Sequence, residues 1–468
     1  MHPCLALPEI VLQIVQQVSN EPPNATLASL AQTSRLFLEP SLNALWRNPG
    51  YNVLLYLART FPDGALNVTE VGLYGKYRVV RATYQSCKRA VTQSYWKEIR
   101  RSLTAADWER PLSYCKRVRV FNHEITDFVR TTNILVLLTT GMPTSFLFPR
   151  LQSLYWRSDI NGSAFTGGSN SLRFLLPPTI KDLTLVGPIP TVVSHLLVVA
   201  TKNLSLERLA LRPGMTDLAT VITDHDIAAL SAFVCQLSGL KSLVVPSLDP
   251  AALEHISQLQ SLEKLHVTRR IPSTGWQALH DCEELFTSLN SLTLENADLL
   301  FVTPFIGSLA HSPLQVLEIY PQRTATTGSV AEVFAALSEC GLEPSINRIH
   351  VCSYHSPEQL GTSIWSLERS SFLVLAKFSN LEYIVLHAPG GFLFGDDALQ
   401  TVLQSCPRLS SLELTHPLLV PNTTPTQFTS MTLVNIATHS KSLKSLQLTL
   451  DLSAPLSSAY PVTSDGVR

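Results

Sequence analysis

Side chains able to do covalent or metal chemistry occur throughout this chain, but their spacing never assembles them. Eight cysteines are scattered with no C-x-x-C and no Cys/His cluster at ligand spacing, so neither a zinc module nor a disulfide framework is indicated. Thirteen histidines include no i, i+4 pair with an acidic neighbour suited to a metal. No G-x-S-x-G, H-E-x-x-H, phosphate-binding loop or G-x-G-x-x-G stands in a fitting strand–turn–helix context. The nearest approach to a ligand loop is Gly390-Gly391-Phe392 through Gly395-Asp396-Asp397. It reads instead as a turn followed by an aspartate N-cap. Cys406 has the setting of an inert core thiol. The basic, aromatic run Lys88 to Arg101, with Tyr95 and Trp96, has acids close by and reads as a solvated helix face rather than a phosphate site. No catalytic residue, metal ligand or cofactor is expected. The chemistry on offer is noncovalent recognition.

What positions the recognition residues is a repeated hexamer. Leu409, Leu412 and Leu414 give the spacing L-x-x-L-x-L. It returns at Leu151/Leu154/Trp156, Ile180/Leu183/Leu185, Leu206/Leu209/Leu211, Leu240/Leu243/Val245 and Leu262/Leu265/Val267. Further copies stand at Leu289/Leu292/Leu294, Leu314/Leu317/Ile319, Ile346/Ile349/Val351, Leu381/Ile384/Leu386 and Leu443/Leu446/Leu448. Successive copies are offset by roughly 22 to 36 residues, the period of leucine-rich repeats with a short strand and a helix each. The last two apolar positions alternate with polar ones, as a half-buried strand requires. No repeat buries its apolar face alone, so neighbours must stack. Helices are expected at Ile227 to Leu237, Leu253 to Leu259, Val330 to Cys340, Ala398 to Ser405 and Leu433 to His439. Loops such as Ile160 to Asn170 and Pro321 to Ser329 account for the uneven period.

Residues alternating with the leucines point away from the core and form one ribbon across the strands. Tyr155, Arg157, Arg208, Arg212, Lys264, Glu318, Tyr320 and Tyr383 are the candidates for partner contact, because Tyr and Arg are the types interfaces favour. Arginine and lysine fall in the earlier strands, Glu295 and Glu318 in the next. An acidic partner segment is therefore expected over Arg208 and Arg212.

Residues 5 to 47 differ from all that follows. Pro8 and Glu9 suit a first helical turn, and Ile10, Ile14 and Val18 line one face, widened by Val11 and Val15 with Leu12 beyond. Thr26 is expected to cap a second helix that carries Leu27, Leu30, Ala31, Ser34 and Phe37 and ends at Pro40. Leu42, Leu45 and Trp46 supply a last apolar turn. So small a unit cannot satisfy its own apolar surface, so it packs on the repeats or offers a partner-binding patch. Helices are expected between it and the repeats, at Val53 to Phe61 and from a Thr104 cap with Asp107. Val118 and Val120 form a degenerate first strand.

Leu7-Pro8-Glu9-Ile10, then Ile14, Val18, Leu27, Leu30, Arg35 and Leu45-Trp46-Arg47, resembles the F-box, a short three-helix module of ubiquitin-ligase substrate receptors. The opening departs from the usual Leu-Pro-x-Glu-Ile by lacking one residue. With repeats following, the order of parts looks like a fungal F-box/leucine-rich-repeat protein. Ala105-Ala106-Asp107-Trp108-Glu109-Arg110, Phe394-Gly395-Asp396-Asp397-Ala398-Leu399, Cys406-Pro407-Arg408-Leu409 and the helix Met431 to His439 extend the likeness. The resemblance implies docking on a Skp-family adaptor through Leu7, Pro8, Ile10, Ile14, Val18, Leu30, Leu45 and Trp46, linkage through it to a cullin, and a client protein held on the repeats.

Composition agrees with a binding scaffold. The net charge of -1 over 468 residues gives no bulk field toward nucleic acid or anionic membrane. Glu9 interrupts the N-terminal apolar stretch, against a signal peptide, and Ile134 to Phe148 is too short and broken to span a bilayer. Asn67, Asn161 and Asn203 precede x-Ser/Thr, without consequence in the cytosol or nucleus expected here. The fold expected is α/β: an F-box-like helical module over 1–48, connecting helices over 49–114, and a leucine-rich-repeat solenoid (a horseshoe) over 115–468. The function expected is a non-catalytic substrate-receptor subunit of an SCF-type ubiquitin ligase. The alternative is a leucine-rich-repeat interaction scaffold unconnected with ubiquitination.

Overall fold

The structure, a computed structural model, describes residues 7–19, 25–50, 53–63, 65, 103–123, 135, 138–139, 141–157, 172–200, 205–214, 222–269, 285–353, 364–415 and 427–450. The basic run Lys88 to Arg101, the loop Ile160 to Asn170 and the Asn-x-Ser/Thr sites at Asn67, Asn161 and Asn203 lie outside them. The chain folds as two compact units, Met1–Leu206 with Pro213–Thr220, and Glu207–Arg212 with Val221–Arg468.

In the first unit, three helices, α1 (Pro8–Ser19), α2 (Ala25–Thr33) and α3 (Arg35–Arg47), precede the short α4 (Val53–Ala58) and α5 (Glu109–Cys115). The break between α2 and α3 falls at Ser34, whose hydroxyl accepts from Leu36 N–H. Thr26 is therefore inside α2 rather than its cap, and Pro40 lies within α3 rather than at a terminus. A side-chain cap set the boundary where proline was expected to. Thr104 behaves as anticipated: its N–H and hydroxyl both donate to Asp107, each at 2.8 Å. A single 3-10 turn follows before α5.

Strands β1 (Val120–His123), β2 (Ser153–Arg157) and β3 (Asp182–Val186) of this unit are parallel. Phe121 pairs with Leu154, and His123 with Trp156. Val118, Phe121 and His123 thus occupy the three inward positions of a first hexamer, and Val120 faces out, half-exposed. Pairing Val118 with Val120 set the phase one residue off, because a histidine holds the last apolar place. Helix α6 (Ile189–Ala200) follows β3.

The second unit carries β4 (Arg208–Arg212), β5 (Ser242–Val245), β6 (Lys264–Val267), β7 (Ser291–Ala297), β8 (Val316–Pro321), β9 (Arg348–Cys352), β11 (Tyr383–His387), β13 (Ser411–Thr415) and β14 (Ser445–Leu448), paired side by side in that order. All pairs are parallel, so each return must be a crossover rather than a hairpin. The register aligns the hexamers: Leu243, Leu265, Leu292, Leu317, Ile349, Ile384, Leu412 and Leu446 are successive partners. From Leu243 to Leu412 these residues are buried. At the edge strand β14, Leu446 is 40% exposed. Parallel strands taken in chain order with their leucines in register are the arrangement of a leucine-rich repeat.

Crossover helices begin where polar caps allow. α7 (Asp224–Val234) opens with a capping box between Thr223 and Asp226, and α8 (Pro250–Ser257) with Asp249 accepting from Ala252 N–H. Asp298 caps α9 (Leu299–Gly307) and Thr326 caps α10 (Thr327–Glu339). Such caps satisfy amide N–H groups that the first turn leaves without partners. Helices α6 and α9 were not expected, since both are apolar nearly all round and show no amphipathic period. Between β9 and β11, the two-residue strand β10 (Leu367–Glu368) leads into α11 (Arg369–Leu373) and pairs with β12 (Phe392–Leu393). Gly390 is required there: a Cβ would lie 2.8 Å from the Trp365 carbonyl oxygen. The expected aspartate cap after it is Gly395 instead, and Asp396 opens α12 (Asp396–Ser405).

Candidate functional site: two recognition surfaces

The three N-terminal helices enclose a core of their own. Val11, Val15, Leu27 and Phe37 are buried together, and Ile14, Val18, Leu30, Ala44 and Leu45 pack against them. Val11 and Val15, expected at the margin of the apolar face, are its centre, and Ile10, Ile14 and Val18 are half-buried. The apolar residues left to solvent here are Leu7, just before α1, at 52% exposure, and Leu12 on α1 at 55%, with Pro8 also exposed. Leu36 and Leu38 on α3 are exposed as well. Leu12 is the residue sequence reasoning passed over; the signal was that it falls outside the α1 stripe yet is apolar.

The module is tied to the chain that follows it. Trp46 packs on Tyr114, the rings tilted by 32° with centroids 4.6 Å apart. Arg117 donates to Glu39 at 2.8 Å and also to Asn43. Arg119 N–H donates to the Arg47 carbonyl at 2.9 Å. These contacts seat α3 against the turn that leads into β1.

On the strands of the first unit, Tyr155 and Arg157 face outward and are half-buried. Behind them Trp156 stacks on His123, centroids 4.2 Å apart, and presents its face or edge to His195 at 6.5 Å. Burial holds both imidazoles down to a pKa of about 4, so they are neutral at pH 7.

In the second unit Arg208, Arg212 and Lys264 are exposed. Further along, the outward side chains are joined in pairs. His266 Nε2 lies 3.0 Å from Glu295 Oε1, and His387 Nε2 lies 2.7 Å from Glu413 Oε1. Thr293 donates to Glu318 at 3.2 Å. The Tyr320 hydroxyl meets Nδ1 of His350 at 3.2 Å, and the Arg348 guanidinium lies 4.5 Å over the Tyr383 ring. Burial lowers the His350 pKa, opposed by Glu318. Tyr320 is itself buried, so this predicted contact residue reaches the surface only by its edge. Sequence reasoning named most of these residues singly but could not see the pairs, which join side chains 25 to 35 positions apart.

The cysteines among the described residues are held protonated. Cys340 is pushed up to about 11 and Cys406 to about 12, both chiefly by burial, and Cys115 and Cys352 are raised further. A thiol so protonated is a poor nucleophile. Among the described residues no group of three or more His, Cys, Asp or Glu could hold a metal ion, and no helix is long and apolar enough to cross a membrane.

No family model matches this chain, and no curated protein matches it either. Among solved structures it is similar to a chain in the crystal structure of the yeast Rad7 and Elc1 complex, at 14% identity over 67% of this chain and 78% of that one, with a TM-score of 0.30. It is also similar to the leucine-rich-repeat ectodomain of the Arabidopsis receptor kinase HAESA, solved with an extended IDA peptide hormone. There the identity is 13%, the coverage 68% of each chain, and the TM-score 0.24. Neither overlap reaches the level that fixes a common fold. The repeat assignment rests on the register and burial above.

Proposed function

We propose that this chain is the non-catalytic substrate-receptor subunit of an SCF-type ubiquitin ligase, working in the cytosol or nucleus. In this reading the N-terminal helices dock on a Skp-family adaptor, and through it on a cullin, and the strand face of the repeats holds a client protein. Catalysis is then proximity, supplied by the ligase's other subunits. The observation that carries the reading is the helical module: it closes its own core, yet Leu7, just before its first helix, and Leu12 on that helix stand in solvent. Apolar residues so placed on a folded module are what a partner surface requires.

A second reading, a repeat scaffold with no adaptor, is favoured by the Trp46–Tyr114 packing and the Arg117 contacts, since a capping module needs those and nothing more. Co-purification separates the two. Full-length chain should carry adaptor and cullin peptides, identified by mass spectrometry. Leu7→Asp with Leu12→Asp should remove them while the circular dichroism melt is unchanged, because a charge buried unpaired in an interface costs several kcal/mol. Ile10 and Ile14 are less clean probes, as Ile14 also packs on the module's core. Wild-type chain that never recovers an adaptor leaves the scaffold.

A further inference from the structure

The outward strand face of the second unit is charged in two zones. Arg208 and Arg212 on β4 and Lys264 on β6 are exposed. Beyond them stand Glu295, Glu318 and Glu413, on β7, β8 and β13. Each carboxylate is oriented by a neighbour, His266, Thr293 and His387 respectively. A hydroxyl donor leaves a carboxylate's charge intact, and an imidazole cancels it only when protonated. Two cations stand among them: the Arg348 guanidinium lies 4.5 Å over the Tyr383 ring, and Arg269 lines the same small space as Glu295.

We infer that this face takes one extended protein segment of opposed charge, with an acidic block over β4–β6 and a basic block over β8–β13. The inference deepens the receptor reading and rests on its client half alone. Strand order sets the length. β4 is four strands from β8 and seven from β13, about 19 to 34 Å at about 4.8 Å per strand, which an extended chain covers in roughly 6 to 10 residues. A nucleic acid, uniformly anionic, would be repelled over Glu318 and Glu413. The small space beside Glu295, lined by Arg269, Leu294, Asp298 and Phe301 among others, is about 10 Å³, which holds one water at most. Tyr320 on β8 and Tyr383 on β11 supply aromatic contact within the acidic zone. Opposed charge at the two ends also fixes the direction in which the segment lies.

Random 16-residue peptides displayed on phage and panned on the full-length chain test this. Selected peptides should carry an acidic and a basic block about 6 to 10 residues apart. Panning on Arg208→Glu with Arg212→Glu should select basic peptides, and on Glu318→Lys with Glu413→Lys acidic ones. A synthetic peptide from the wild-type selection should bind each double variant at least tenfold more weakly. If the lysine variant fails to fold, Glu318→Gln with Glu413→Gln removes the charge and keeps an acceptor. Enrichment of uniformly charged or uncharged peptides, no enrichment, or binding within twofold on the variants overturns the inference. Adaptor recovery is scored in the same preparations. Its failure beside a two-block selection defeats the ligase reading and leaves this one standing.

Discussion

Leu292 and Thr293 are neighbours on β7 that face opposite ways, one buried among leucines, the other half-buried beside Glu318. Leu292→Ala, or Leu317→Ala on the next strand, should cost about 2–5 kcal/mol in urea melts, as methylene deletions in a packed interior do. Thr293→Ala should cost at most about 1 kcal/mol, the net worth of one half-exposed hydrogen bond. Equal losses would reverse the inward and outward phase. A second consequence at this scale concerns acid. His123 and His195 have folded pKa values of about 4 against an unfolded 6.5, both lowered by burial. Between those values the unfolded chain binds protons that the folded chain refuses, so stability is intact above pH 6.5 and falls as pH drops toward 4. Each imidazole accounts for on the order of 3 kcal/mol across the window. His195→Phe should therefore lose less stability than wild type between pH 7 and pH 4.5, read as the shift in urea midpoint.

At the scale of elements, adjacent repeats are joined by side chains that cap one helix from another. Asp396, at the start of α12, accepts from Thr429 N–H at 3.1 Å, from the Thr429 hydroxyl at 2.5 Å and from the Thr432 hydroxyl. Thr429 in turn caps α13 (Ser430–His439), accepting from Met431 N–H. Thr432 is fully buried. Removing the carboxylate strands several donors at once, so Asp396→Ala should cost about 2–3 kcal/mol. Its neighbour Asp397 pairs with Arg369 at 2.5 Å, but both side chains are exposed, and Asp397→Ala should cost less than about 1 kcal/mol. Thermal melts of the two variants side by side test the difference. The same logic explains the N-terminal module, where Ser34 rather than Pro40 divides two helices. A cap satisfies groups that the helix end exposes, whereas proline in the second turn removes one bond and leaves the rest.

For the whole molecule the two recognition surfaces should respond differently to salt. With a net charge of -1, no bulk field is screened when salt is added. The proposed contact at Leu7 and Leu12 would depend on apolar burial, which salt does not weaken. The outward strand face of the second unit depends on charges that are screened beyond about 10 Å at 0.1 M and about 3 Å at 1 M salt. Adaptor affinity should change less than about threefold between those concentrations, and affinity for a two-block peptide should fall more than about tenfold. Titration calorimetry at the two ionic strengths checks both. A salt-sensitive adaptor contact would shift that surface from Leu7 and Leu12 to charged residues beside them.

The hexamer was legible because it is a local pattern: three apolar residues within six positions define which side chains of each strand face in, and the parallel register followed from their repetition. The degenerate first copy was misread by one residue because His123, stacked on Trp156, stands where a leucine was expected. Helices α6 and α9 escaped notice because an element apolar nearly all round has no period to display. The apolar surplus of α1 was also legible in the sequence. Its division between the core residues Val11 and Val15 and the exposed Leu7 and Leu12 was not. Packing against α2 and α3 decides which side of a broadly apolar helix is covered. The His–Glu and Tyr–His pairs of the strand face belong wholly to tertiary structure. They join residues a full repeat apart, and their distance depends on the register between strands, which no single stretch of chain encodes.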